Sequence, residues 1–179
     1  MAVDIEHAVT EQAMDRALRT ALAQLLPEMR AFARYLTGSR NEADDLVQEA
    51  VLRTLRALDG KSETVDLRSW CLAVIRNTFH EQLRSRRREQ RRLAEALPEP
   101  EAPAEQEVPG RMRDLTRALR GLPPLLREAV ILVGAQGLSH AEAAGICNVP
   151  VGTMKARVSR ARRMLAQMLD RPAPDAVTD

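Results

Sequence analysis

One stretch limits what this chain can fold into more than any other. Residues 95–110 read EALPEPEAPAEQEVPG, with four prolines and five glutamates in sixteen positions. Such a composition buries too little apolar surface to offset the entropy of ordering it. It is expected to form an extended acidic linker rather than part of a core. The 179 residues therefore divide into two small domains, predicted at 10–94 and 111–170. Strand signals are almost absent and there are only four aromatic residues. The expected fold class is all-α: two small helical domains joined by a flexible acidic linker, the second a helix-turn-helix domain.

The near-neutral total of +2 conceals strong segregation of charge. Residues 1–66 carry a net −4, 67–94 a net +6, 95–110 a net −5 and 111–170 a net +6. Two cationic blocks separated by an acidic spacer suit two contacts with one polyanion. No apolar run approaches a membrane span and no signal-peptide pattern opens the chain, so a cytoplasmic protein is expected. Cys71 and Cys147 fall in different predicted domains, each beside an apolar helical stripe, and read as free buried thiols. His7, His80 and His140 lie far apart without ligand-like neighbours. No catalytic or metal constellation stands out, and no cofactor is expected.

The second cationic block contains a helix-turn-helix pattern. Ser139 and Glu142 have the spacing of a capping box, which starts a helix running through Ala141, Ala143, Ala144 and Ile146. Asn148 follows, and asparagine tolerates a left-handed backbone better than most residues. Pro150 then opens a second helix, where its missing N–H costs little. At 100° per residue, Met154, Val158, Ala161, Leu165, Met168 and Leu169 form one apolar stripe. The opposite side carries Lys155, Ala156, Ser159, Arg160 and Arg163. A surface helix with a solvated basic face would look similar, but the capped helix and tight turn before it favour a helix that enters a DNA groove.

In the first predicted domain, residues 25–36 have helical periodicity, with Pro27 marking a start or a kink. Ser39 or Asn41 can cap a helix over 42–58 that buries Ala43, Leu46, Val47, Ala50, Thr54 and Leu58. Its other side presents Asp45, Gln48, Glu49, Leu52 and Arg56, an acidic surface with an apolar centre that suits docking to a protein. A third helix starts near Asp66, a good N-cap. Leu67, Trp70, Cys71, Val74 and Thr78 are expected on its inner face, and Arg76, His80, Arg84 and Arg87 on its outer one. Six arginines fall within residues 84–92. That exceeds what a helix C-terminus needs for its dipole, so phosphate contact is expected. Asn77 and Thr78, neutral hydrogen-bonding groups beside that stripe, are candidates to read a base edge. The preceding loop, 59–65, is polar enough to close over an exposed base.

ADDLVQEAVLRTLRAL (43–58), LRSWCLAVIRNTFHEQLRSRRR (67–88) and the helix-turn-helix together resemble the extracytoplasmic-function sigma factors. They occur in that family's order and spacing, over about residues 20–170. LPPLLREAVILVGAQGLS (122–139) further resembles the general-stress-response subgroup, the EcfG type. The resemblance implies a promoter-specificity subunit of RNA polymerase with no chemistry of its own. It implies docking on core RNA polymerase through Asp45, Gln48, Glu49 and Leu52. It places Asn77 at a flipped base of the promoter −10 element, with Arg76, His80, Arg84 and Arg87 along the DNA backbone. It assigns Lys155, Ala156, Ser159, Arg160 and Arg163 to the −35 element. Ala156 stands where the family often has serine, which removes a hydroxyl contact, and His140 stands where tyrosine is common. The subgroup implies a small helical anti-sigma partner of the NepR type and a monomer when free. Two other readings remain open at this stage: a stand-alone helix-turn-helix regulator, and a sigma-mimicking protein that sequesters an anti-sigma factor.

Overall fold

The computed structural model describes residues 2–58, 66–94 and 110–170, with side chains over 16–58, 66–92 and 114–170. The predicted linker up to Pro109, the loop 59–65 and the tail from Pro172 lie outside the described residues. All regular structure among the described residues is helical. The chain separates into two compact units, 1–100 and 101–179. No helix of the described residues is long and apolar enough to cross a membrane.

The first unit is a three-helix assembly of α1 (Ala2–Thr37), α2 (Arg40–Leu58) and α3 (Leu67–Ala94). α1 passes through Pro27 without ending, so Pro27 does not start the helix. Pro27 lies on the exposed side, between the buried Leu22 and Met29, so the core-facing stripe is uninterrupted. Gly38 ends α1 at φ +73, a backbone conformation that favours glycine, and its N–H donates to the Arg34 carbonyl at 2.9 Å. Ser39 caps α2: the Ala43 N–H donates to its carbonyl at 3.1 Å and the Glu42 N–H to its Oγ at 3.5 Å.

Phe32, Met29, Leu46, Leu72 and Ile75 fill the centre of this unit. The buried positions of α2 are Ala43, Leu46, Val47, Ala50 and Thr54, as periodicity predicts, while Leu58 is only half-buried. α3 is rotated from its expected setting. Cys71, Leu72, Ile75 and Thr78 face the core, and Leu67, Trp70 and Val74 are half-buried on its flank. Residues 70–75 are all apolar, so periodicity leaves the phase of that helix undetermined. Ion pairs span the rims between helices, Arg68 to Glu28 at 2.8 and 3.0 Å and Arg30 to Asp44 at 3.4 Å. Pairs this exposed each contribute about 0–1 kcal/mol, so the apolar core dominates.

The second unit comprises α4 (Gly110–Gly121), α5 (Pro124–Val130), a π-helical turn (Ile131–Ala135), α6 (His140–Cys147) and α7 (Val151–Leu169). α4 takes in Gly110, one residue earlier than the predicted domain boundary. Pro123 and Pro124 set the start of α5, where the Pro123 carbonyl accepts from Leu126 and Arg127 N–H at 2.9 and 3.0 Å. Arg127 ties α5 back to α4, donating from Nη2 to the carbonyls of Arg120 at 2.7 Å and Leu122 at 3.1 Å. Those carbonyls lie at and just past the end of α4, so the guanidinium acts as a C-terminal cap. Burial, and the nearby Arg120 charge, lower its pKa. The π-helical turn closes at Gly137, φ +67, with the Leu138 N–H donating to the Leu132 carbonyl at 3.1 Å.

Candidate nucleic-acid interface

The helix-turn-helix forms from the local signals in its sequence. The Ser139 Oγ accepts from the Glu142 N–H at 3.2 Å, and the Glu142 carboxylate accepts from the Ser139 N–H at 2.7 Å. This reciprocal box satisfies two donors at the start of α6. Asn148 takes the left-handed conformation, φ 51 and ψ 53, and reverses the chain. Its N–H donates to the Gly145 carbonyl at 3.1 Å, and that of Val149 to the Ala144 carbonyl at 3.0 Å. Pro150 is the N-cap of α7.

The two helices pack through Ala143, Ala144, Ile146 and Cys147 on α6 and Met154, Val158 and Ala161 on α7, all buried. The alanines allow a close crossing. Beyond Ala161 the predicted apolar stripe loosens: Leu165 and Met168 are half-buried and Leu169 is 47% exposed. Lys155, Ala156, Ser159, Arg160 and Arg163 are all exposed, so the five predicted groove-facing positions share one free surface. Among the described residues, no carboxylate engages Lys155, Arg160 or Arg163. α7 thus presents exposed cations that no carboxylate of the described residues engages.

A second cationic surface lies on α3 of the first unit. Asp66 caps that helix, its Oδ1 accepting from the Ser69 N–H at 3.4 Å. Hydrogen bonding from Ser69 holds its carboxyl below the usual range. Asn77 is exposed, and its Oδ1 accepts from Arg76 Nη1 at 3.4 Å. His80 is half-buried in edge contact with Phe79, with 5.6 Å between ring centroids, and Arg84 and Arg87 are exposed. Thr78 is wholly buried and cannot reach a base, which removes it from the base-reading pair and leaves Asn77. Residues 84–92 are exposed throughout, so the arginine-rich end of α3 stands in solvent. Arg86 is held by Glu42 at 2.7 Å. The contact spans 44 positions in sequence, and nothing local announces it.

On α2, Asp45 and Gln48 are exposed and Leu52 is 42% exposed beside them. Glu49 is half-buried, and Arg53 Nε donates to its Oε1 at 2.7 Å. The same guanidinium donates from Nη1 to Glu81 Oε2 on α3 at 2.6 Å. The i, i+4 half of that arrangement is visible in the sequence. The half that crosses to α3 is not. Cys71 and Cys147 are both free and buried, as expected, and burial pushes the Cys71 thiol up to about 11.

A compact helix-turn-helix with an exposed basic face, and a separate helical unit with one basic and one acidic face, fit the class of DNA-binding proteins. Residues 22–89 match sigma-70 region 2 and residues 112–165 match sigma-70 region 4. The chain is 40% identical over 158 residues to the ECF RNA polymerase sigma factor EcfG of Rhodopseudomonas palustris strain TIE-1, covering 86% of this chain and 85% of that one. It is 34% identical over 152 residues to the ECF RNA polymerase sigma factor SigC of Mycobacterium tuberculosis, covering 84% and 82%. It also matches the structure of the sigma factor RpoE of Bartonella quintana, solved in complex with the anti-sigma factor NepR. That match has a TM-score of 0.74 and 36% identity, over 87% of this chain and 99% of the other. The chain belongs to the extracytoplasmic-function family of RNA polymerase sigma factors, which are initiation factors and not enzymes in their own right.

Proposed function

We propose that this sigma factor docks on core RNA polymerase through Asp45, Gln48, Glu49 and Leu52 and directs it to one class of promoter. Residues 10–94 form the polymerase- and −10-binding domain, 95–110 the linker, and 111–170 the −35-binding domain. Asn77 takes a base of the −10 element, flanked by Arg76, His80, Arg84 and Arg87 on the backbone. Lys155, Ala156, Ser159, Arg160 and Arg163 meet the −35 element in the major groove. The likeness to EcfG supports a place in the general stress response. The likeness to RpoE, whose structure contains NepR, supports control by a small helical anti-sigma factor of that type. The protein works in the cytoplasm, as a monomer when free.

The observation that carries this reading is the pairing of an acidic face on α2 with two basic faces, on α3 and α7. A stand-alone regulator needs only the last of these. Mobility shift separates the two: the free chain should leave promoter duplex unshifted and should shift it once core polymerase is added. A specific shift by the chain alone would favour the regulator. A protein that only sequesters an anti-sigma factor would shift the duplex under neither condition.

A further inference from the structure

Arg53 joins two functional faces and belongs to neither. One edge of its guanidinium holds Glu49 one turn back on α2, at 2.7 Å, and another holds Glu81 on α3, at 2.6 Å. The three side chains are 39–50% exposed. Ion pairs this accessible add little to stability, and the helices already meet through a closed apolar core. Stability therefore accounts poorly for a three-membered bridge. Its geometric effect is larger. A glutamate at a helix surface samples several rotamers, and docking would have to freeze one of them. A planar guanidinium donating in two fixed directions removes that freedom in advance.

We propose that Arg53 is a positioning residue for polymerase docking: it holds the Glu49 carboxylate in place through a bridge whose far anchor is Glu81 on the −10 helix. The proposal rests on the reading that Glu49 touches polymerase. It assigns Glu81, on a different helix from the docking face, an effect on docking. It also ties the helix that meets polymerase to the helix that meets the −10 element. Lysine cannot replace Arg53, because an ammonium is a point charge without two fixed donor edges.

The test is the affinity of the full chain for core polymerase, without DNA, with thermal melts of every variant run in parallel. Glu49→Gln should weaken binding most. Arg53→Gln and Arg53→Lys should each weaken it roughly fivefold, and Glu81→Gln roughly threefold, with melting temperatures close to wild type. The double variant Arg53→Gln/Glu81→Gln should bind no worse than Arg53→Gln alone, because both changes break one bridge. The positioning role is overturned if Glu49→Gln weakens binding while Glu81→Gln binds as wild type, or if the double variant is additive. An unchanged affinity for Glu49→Gln would instead remove Glu49 from the docking face, and the proposal with it.

Discussion

Glu49→Arg should abolish association with core polymerase while leaving the protein folded. The buried side of α2 is Ala43, Leu46, Val47, Ala50 and Thr54, and position 49 lies off it. The new side chain would face Arg53 one turn on, a like-charge pair costing about 0.2–0.5 kcal/mol. Losing the exposed pair with Arg53 costs about 0–1 kcal/mol more. Both are small beside the roughly 5–15 kcal/mol that stabilise a typical domain. Like-charge contact across an interface costs several kcal/mol, and each 1.4 kcal/mol is about tenfold in affinity. Binding should therefore fall by at least about a hundredfold, measured by anisotropy of labelled protein titrated with core polymerase. Circular dichroism checks the fold. A folded variant that binds normally removes the acidic face from the account.

Arg160→Ala and Arg163→Ala should fail in different ways. Both side chains are exposed on α7, but Arg160 lies on the same stretch of face as Lys155, Ala156 and Ser159, and Arg163 lies almost a turn further on. A bidentate arginine–guanine contact discriminates by about 1–3 kcal/mol, so Arg160→Ala should lose preference at one or two −35 positions and keep the rest. Arg163→Ala should weaken binding on every sequence alike and reduce the salt slope by about one. The measurement is holoenzyme affinity for promoters changed base by base across the −35 element, at several salt concentrations. Equal losses on all sequences for both variants would show that the two roles are wrongly divided.

The parts of this structure that were legible in the sequence are those encoded locally. The capping box at Ser139 and Glu142, the left-handed Asn148 and the position of Pro150 each act within four residues, and all three appear in the fold. α2 was legible because the buried positions 43, 46, 47, 50 and 54 recur at helical spacing among charged ones. α3 was not, because the run from Trp70 to Ile75 is apolar on every side and only packing against α1 and α2 selects Leu72 and Ile75. Thr78 was expected on the inner face of α3 and is buried there, and that burial is what rules out the base contact also considered for it. Pro27 removes one helical N–H wherever it stands, and on the exposed side of α1 it leaves the core packing intact; which side that is depends on where the neighbouring helices lie. The contacts of Arg53 with Glu81 and of Arg86 with Glu42 span 28 and 44 positions, and only the tertiary fold creates them.

This chain should give core RNA polymerase its choice of promoter. In vitro transcription tests it directly, with purified core polymerase and a template pool from the protein's own genome, with and without the chain. Discrete transcripts should appear only when the chain is present, and should be lost with Glu49→Arg and redirected or weakened with Arg160→Ala. Core polymerase that gives the same products with and without a folded chain would contradict it.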